Sequence, residues 1–270
     1  KFWLDLGVDG FRADAVRGIS KDPHQRDDLL AAHCPDEQSV RSFDDLQHKY
    51  SRFWENLFPY LRELTDVVAS YDDRIMIFED YPDGNYGTQE QYLGFYGVNP
   101  DVSMPFNFEG LGAKFSAESF STMVNEFQGM INPDIHTPVY CFSNHDQARI
   151  ATRYGGTEQA RLVALMQLTL PGLPVVYYGD EIGMTNAPIQ FDEIQDKSVF
   201  SHGNDESVGR DPERTPMQWT GEKNAGFSQV KPWLPVDPIS KKVNVDVEQH
   251  DPDSFFALYQ RLLKLRSRYE

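Results

Sequence analysis

Apolar and polar positions follow one another along this chain in two rhythms. Short, mostly apolar runs bounded by charge or turn residues predict strands: Val8–Phe11, Ile75–Phe78, Val102–Phe108, the run from Val139 toward Asn144, and Pro174–Tyr178. Pro105 is awkward inside the third run, because proline brings no N–H to a ladder. Apolar residues at helical spacing lie between the runs. Phe53, Trp54, Leu57, Phe58, Leu61, Leu64, Val67 and Val68 predict one helix, with Pro59 in its first turn or at a kink. Two more are predicted from about Ser116 to Met130 and from Thr157 to Leu170, where Pro171-Gly172 stops the second. Asp251-Pro252 predicts an N-cap and N1 proline for a last helix, striped by Phe255, Leu258, Tyr259, Leu262 and Leu265. Lys1 to Gly7 reads as a helix tail with Gly7 as its C-cap.

Three stretches have no convincing period. Gly18 to His48 and Ile182 to about His250 are long and polar, and a polar stretch carrying Tyr81, Tyr86, Tyr92, Phe95 and Tyr96 follows the second strand. Loops of such length inside a compact domain are usually functional. Alternating strands and helices predict the α/β class and a (β/α)8 TIM barrel with its site at the carboxyl ends of the strands. An open doubly wound sheet is the runner-up, but no Gly-x-Gly-x-x-Gly follows the first strand to bind a nucleotide.

Three of the strand runs end in an acid. Arg12 and Asp14 follow the first, two apart and so on one side of an extended chain; a neighbouring cation favours the charged form of a carboxylate. Glu79 closes the second run, and Asp146 follows the fourth in Asn144-His145-Asp146. A fixed, ionised carboxylate with a second, protonated carboxyl close by is what retaining glycoside hydrolysis requires, the two lying roughly 5 Å apart. Asp180 and Glu181 are expected to orient the loop after the last strand. Arg214 and Trp219 are expected to anchor their own loop.

The 270 residues suffice for one α/β domain with a sizeable core. A formal charge of −17 argues against nucleic acid or an anionic membrane as partner and suits a neutral sugar. Cys34 and Cys141 have no metal-ligand spacing, and Cys141 reads as a buried small hydrophobe. His24, His33, His48, His136, His202 and His250 also lack ligand spacing. No signal peptide or transmembrane run is present; compartment stays open, with the cytoplasm favoured.

Gly10-Phe11-Arg12-Ala13-Asp14, Glu79 after its apolar strand, and Asn144-His145-Asp146 resemble the ordered motifs of glycoside hydrolase family 13, the α-amylase family. The segment Gly172 to Met184 is similar to that family's motif around the eighth barrel strand. Arg210-Asp211-Pro212-Glu213-Arg214-Thr215-Pro216-Met217-Gln218-Trp219 resembles its exo-acting branch of α-glucosidases and oligo-1,6-glucosidases. The resemblance implies Asp14 as nucleophile, Glu79 as acid/base and Asp146 as the acid that stabilises the transition state. It implies Arg12, His145 and Arg210 as sugar-subsite residues, with an acidic partner for Arg210 supplied from outside this sequence. Where the family usually has Gly before the general acid, this chain has Phe78, which needs local repacking.

The same resemblance makes the five strands the fourth to the eighth of the barrel. The expectation is a partial catalytic domain, spanning 1–270 and inactive alone. The N-terminal units with any structural calcium site, the inserted small domain and the C-terminal β domain would lie elsewhere, and the missing remainder of the catalytic domain is then a possible partner. No cofactor is implied for the chemistry. Ala15, where the branch carries Val in enzymes preferring α-1,6 bonds, implies a preference for α-1,4 bonds. Two other classes stay open: a transglycosylating sibling such as a sucrose- or maltose-converting enzyme, and a non-catalytic relative acting as an interaction subunit.

Overall fold

The computed structural model describes residues 1–40, 45–52, 55–80 and 88–269. It divides into two compact units, Lys1–Glu109 with Ser121–Tyr140, and Gly110–Phe120 with Cys141–Glu270.

In the first unit, β1 (Gly10–Ala13), β2 (Ile75–Phe78) and β3 (Ser103–Pro105) form a parallel sheet in that order. Gly10 pairs with Ile75 and Ala13 with Phe78. Only glycine fits at position 10, because a Cβ there would fall on the Ile75 carbonyl oxygen. The first strand therefore begins two residues later than the apolar run predicts, and β2 has its expected bounds. Pro105 ends β3, so the predicted strand to Phe108 is too long; Phe106 supplies the next amide, donating to the Phe78 carbonyl at 2.9 Å. An isolated parallel bridge, Asn107 to Tyr140, follows.

The core of this unit is Val16, Leu57, Leu61, Val68, Met76, Phe78, Phe95, Val98 and Val102. Phe78 is fully buried with its ring centroid 5.4 Å from that of Phe95. This is how the chain accommodates a bulky residue before Glu79: the ring points into the core. Two helices cover the sheet. Leu57–Ala69 has Pro59 in its first turn, where a missing N–H is harmless; Phe53 and Trp54 lie outside the described residues. Gln89–Val98 occupies part of the polar stretch to which the sequence assigned no element; Tyr81 and Tyr86 lie outside the described residues. Its start is a capping box, with Thr88 Oγ1 accepting from the Gln91 amide at 3.2 Å and Gln91 Oε1 from the Thr88 amide at 2.8 Å. That Thr-x-x-Gln signal stands in the sequence.

β4 (Val139–Cys141) shares a two-stranded sheet with β5 (Leu173–Val175). Helix Thr157–Thr169 packs against Phe255–Arg266. The latter is capped by Ser254, whose hydroxyl accepts from the Ala257 amide at 3.0 Å, so Asp251-Pro252 is the preceding turn and not the cap. Arg266 donates to the carbonyls of Leu168, Leu170 and Gly172, satisfying helix-end acceptors that have no partner in their own helix.

The long aperiodic stretch is a series of short turns, four of them started by a polar side chain. Asp196, Asp205, Asp237 and Asn244 each accept from a backbone amide two or three residues on. Capping rather than a hydrophobic rhythm organises it. Both cysteines are buried and neither is in a disulfide. Among the described residues no helix is long and apolar enough to cross a membrane, and no group of three or more His, Cys, Asp or Glu is placed to hold a metal ion.

Candidate active site

Each unit presents one acid cluster. In the first, the strand register does the positioning. Ala13 and Phe78 are the last paired residues of β1 and β2, so Asp14 and Glu79 each stand one residue beyond the ends of neighbouring parallel strands. The Glu79 amide donates to the Ala13 carbonyl at 2.9 Å and holds the two ends together. Arg12 bridges the carboxylates, with Nη1 at 2.7 Å from Asp14 Oδ1 and Nη2 at 3.2 Å from Glu79 Oε2. The Ala15 amide donates to Glu79 Oε2 at 2.9 Å. To aim that amide, Ala15 adopts the left-handed conformation, φ 44°, uncommon for a residue with a Cβ.

The two acids are unequally exposed. The Asp14 side chain is 71% accessible and that of Glu79 only 12%. Burial raises the Glu79 carboxyl above its ordinary range, and a hydrogen bond shared with Asp14 raises it further; the Ala15 amide and Arg12 oppose the shift. Beneath them Arg17 and Asp80 form a buried, two-pronged ion pair, Nη2 lying 2.9 Å from Oδ2. It ties the turn after β1 to the residue that follows Glu79.

The second cluster centres on Asp146. Arg210 Nη1 and Arg214 Nη2 both donate to its Oδ1, at 3.0 and 2.7 Å. His145 Nε2 is 3.4 Å from Oδ2, and Arg214 Nε holds the His145 carbonyl at 2.6 Å. The Asp146 amide is taken by Asn144 Oδ1 at 2.9 Å. Arg210 also has an acidic partner within the chain. Asp196 accepts from its Nε at 2.8 Å, its Nη2 at 3.3 Å and its amide at 3.1 Å. That pairing holds Asp196 well below the usual carboxylate range and raises the Arg210 guanidinium.

Below this cluster lies Arg149, fully buried, with Nη1 on the Tyr178 carbonyl at 2.6 Å and Nη2 on the Glu213 carbonyl at 2.8 Å. Its guanidinium carbon is 5.0 and 4.7 Å from the ring centres of Tyr177 and Tyr178. Asp180 accepts from Ser143 Oγ and the Tyr177 amide, and Glu181 from the Gly179 amide at 2.7 Å, so both orient the loop after β5 as expected. Burial pushes Asp180 up to about 6 and Glu213 up to about 7.

Arg12, Asp14, Ala15 and Glu79 thus meet in one cluster, and His145, Asp146 and Arg210 in the other. Asp196 went unread because its partner lies across an aperiodic loop. Arg214, expected to be only a loop anchor, donates directly to Asp146.

The whole chain, residues 1–270, matches the family model described as alpha amylase, catalytic domain. It is 36% identical over 283 residues to Maltase 1 of Drosophila virilis, covering 98% of this chain and 43% of that protein. Against the oligo-1,6-glucosidase of Bacillus cereus the identity is 31% over 303 residues, covering 100% of this chain and 52% of the relative. A solved alpha-glucosyl transfer enzyme, XgtA, superposes with a TM-score of 0.84 at 27% identity, over 98% of this chain and 50% of its own. The chain therefore spans about half the length of the curated relatives it matches. The likeness in structure places it in the α/β class with the TIM-barrel enzymes.

Proposed function

Because this chain belongs to the alpha-amylase family, we propose that it carries the acid machinery of a retaining, exo-acting α-glucosidase. The protein containing it would release glucose from the non-reducing end of short α-glucosides, favouring α-1,4 bonds. On this reading β1 to β5 serve as the fourth to eighth strands of a (β/α)8 barrel. The observation that carries the proposal is the inequality of Asp14 and Glu79. Two carboxyls at neighbouring strand ends share one guanidinium, yet Asp14 is exposed while Glu79 is buried, and that burial raises Glu79. An exposed carboxylate suits a nucleophile, and a proton-holding neighbour suits a general acid.

The chemistry follows from those roles. Asp14 attacks the anomeric carbon while Glu79 gives its proton to the departing oxygen, leaving a glucosyl ester on Asp14. Glu79, now ionised, takes a proton from the water that cleaves the ester, so the released glucose keeps its α configuration. Asp146 contributes negative charge toward the oxocarbenium-like transition state. Arg12, His145 and Arg210 hold their acids and border the sugar, and Ala15 borders the aglycone.

The test is hydrolysis of maltose and isomaltose by the full-length protein, with the first-formed anomer followed by NMR. Faster turnover of maltose with release of α-glucose is expected; β-glucose first, or a preference for isomaltose, would contradict the reading. A second reading, glucosyl transfer to a sugar acceptor, is favoured by the likeness to XgtA. It predicts that added acceptor sugar diverts most glucose into a new glycoside.

A further inference from the structure

The second cluster contains an acid that touches no part of the proposed sugar path, yet its hydrogen bonds are arranged around one that does. The Asp196 side chain is 5% accessible. Its Oδ1 accepts from the Ser198 amide at 3.0 Å, which caps the short helix Lys197–Ser201, and from Arg210 Nη2. Its Oδ2 accepts the amide and Nε of Arg210. A cap alone would use one oxygen; here the second is committed to the arginine. Asp196 is itself held in place: buried Asp211 accepts both its amide and that of Gln195 through Oδ2, at 2.9 and 2.6 Å.

The consequence falls on Asp146. With Nε and one Nη2 hydrogen directed at Asp196, the guanidinium is turned so that only Nη1 reaches Asp146, at Oδ1. Arg214 meets that same oxygen. Neither arginine donates to Oδ2, which faces His145 Nε2 at 3.4 Å. A guanidinium released from Asp196 would be free to form the two-pronged pair that arginine and carboxylate prefer. It would then close over Oδ2 and neutralise more of the charge that the transition state needs.

We propose that Asp196 is a positioning residue: through Arg210 it keeps Asp146 singly engaged at Oδ1 and leaves Oδ2 for the substrate. This rests on the reading of Asp146 as the transition-state acid. It predicts that loss of Asp196 removes an interaction made in the transition state, so kcat falls while KM changes little.

The experiment compares full-length wild type with Asp196→Ser, Arg210→Gln and the double variant. Serine keeps a capping oxygen, so Asp196→Ser separates helix capping from the holding of arginine. The expected result is a fall in kcat on maltose on the order of 10- to 100-fold, with the thermal midpoint retained. Asp196→Glu, which keeps the charge, should restore part of it. In the Arg210→Gln background the same change should cost less than about 2-fold, because the two act as one unit. Full additivity, or an unchanged kcat in folded Asp196→Ser, would overturn the proposal. Wild type inactive on every α-glucoside would instead remove the functional reading. The crystal structure of Asp196→Ser then decides positioning alone: Arg210 turned to give Asp146 two nitrogens supports it, and Arg210 unmoved refutes it.

Discussion

The two acid clusters use the same side chains in opposite proportion. Around Asp14 and Glu79 one guanidinium, Arg12, serves two carboxyls, whereas at Asp146 two guanidiniums converge on one oxygen. The foundations differ as well. The first cluster rests on Arg17, buried and paired with buried Asp80; the second rests on Arg149, buried against carbonyl oxygens and two tyrosine rings. Burial raises the Glu79 carboxyl against the opposing pull of Arg12 and the Ala15 amide, whereas at Asp146 two cations are spent on a single oxygen. Environment, not residue type, is thus what distinguishes the two clusters.

The largest expected effect tests the proton-donor side. In the full-length protein Glu79→Gln should lower kcat on maltose by about 10²- to 10⁴-fold. An aryl glucoside whose leaving group needs no protonation should lose far less. Equal losses on both substrates would mean that Glu79 is not the acid, and the contrast between the clusters would collapse.

Next come the foundations. Arg17→Ala strands the Asp80 charge in the core and should cost roughly 3–5 kcal/mol by denaturant titration. Arg149→Met removes donors from neutral carbonyls and should cost less, about 1–3 kcal/mol. Equal costs would mean that the charge of Asp80 adds nothing to the burial already lost.

A third effect is confined to the second unit. Asp180 and Glu213 hold protons up to about 6 and about 7, whereas in the unfolded chain both release them near their ordinary values of 3.8 and 4.5. Between those limits the native state binds more protons, so stability falls as pH rises from about 4 to about 7, by on the order of 2–3 kcal/mol per group. Asp180→Asn should flatten the lower part of that slope and Glu213→Gln the upper part. A stability that rises over this window in wild type would refute the assignment.

The smallest effect belongs to Ala15. Replacing it with valine should shift the kcat/KM ratio of maltose to isomaltose toward isomaltose by roughly 10- to 200-fold. Because the backbone there is left-handed, a β-branched residue also adds strain of about 1–3 kcal/mol, visible as a lowered thermal midpoint. A lowered midpoint with an unchanged ratio would show that the residue shapes the turn and not the aglycone.

The first cluster was far more legible in the sequence than the second. Ile75–Phe78 is a clean apolar run, so Glu79 at its end could be read directly, and Arg12 and Asp14 sit within one short motif. Thr88 and Gln91 spelled out a helix start that the neighbouring aromatic residues obscured. Asp196 could not be read the same way. Its meaning comes from meeting Arg210 after a series of capped turns, and such turns leave a composition but no period. Residues placed by strand register can be found by counting along the chain; residues placed by loop closure cannot.

The close approach of Gly10 to Ile75 has a consequence for how this protein can change over time. It pins two strands so that each delivers its acid one step past the last pair. A single inserted or deleted residue in either strand would move that acid by about 3.3 Å and turn its side chain to the opposite face. Substitution in β1 and β2 is therefore a matter of packing, open to gradual drift. A change in their length would take the chemistry away in one event. Insertions accepted by the lineage should accordingly gather in 18–48 and 182–250, where added chain leaves the spacing of Asp14 and Glu79 untouched.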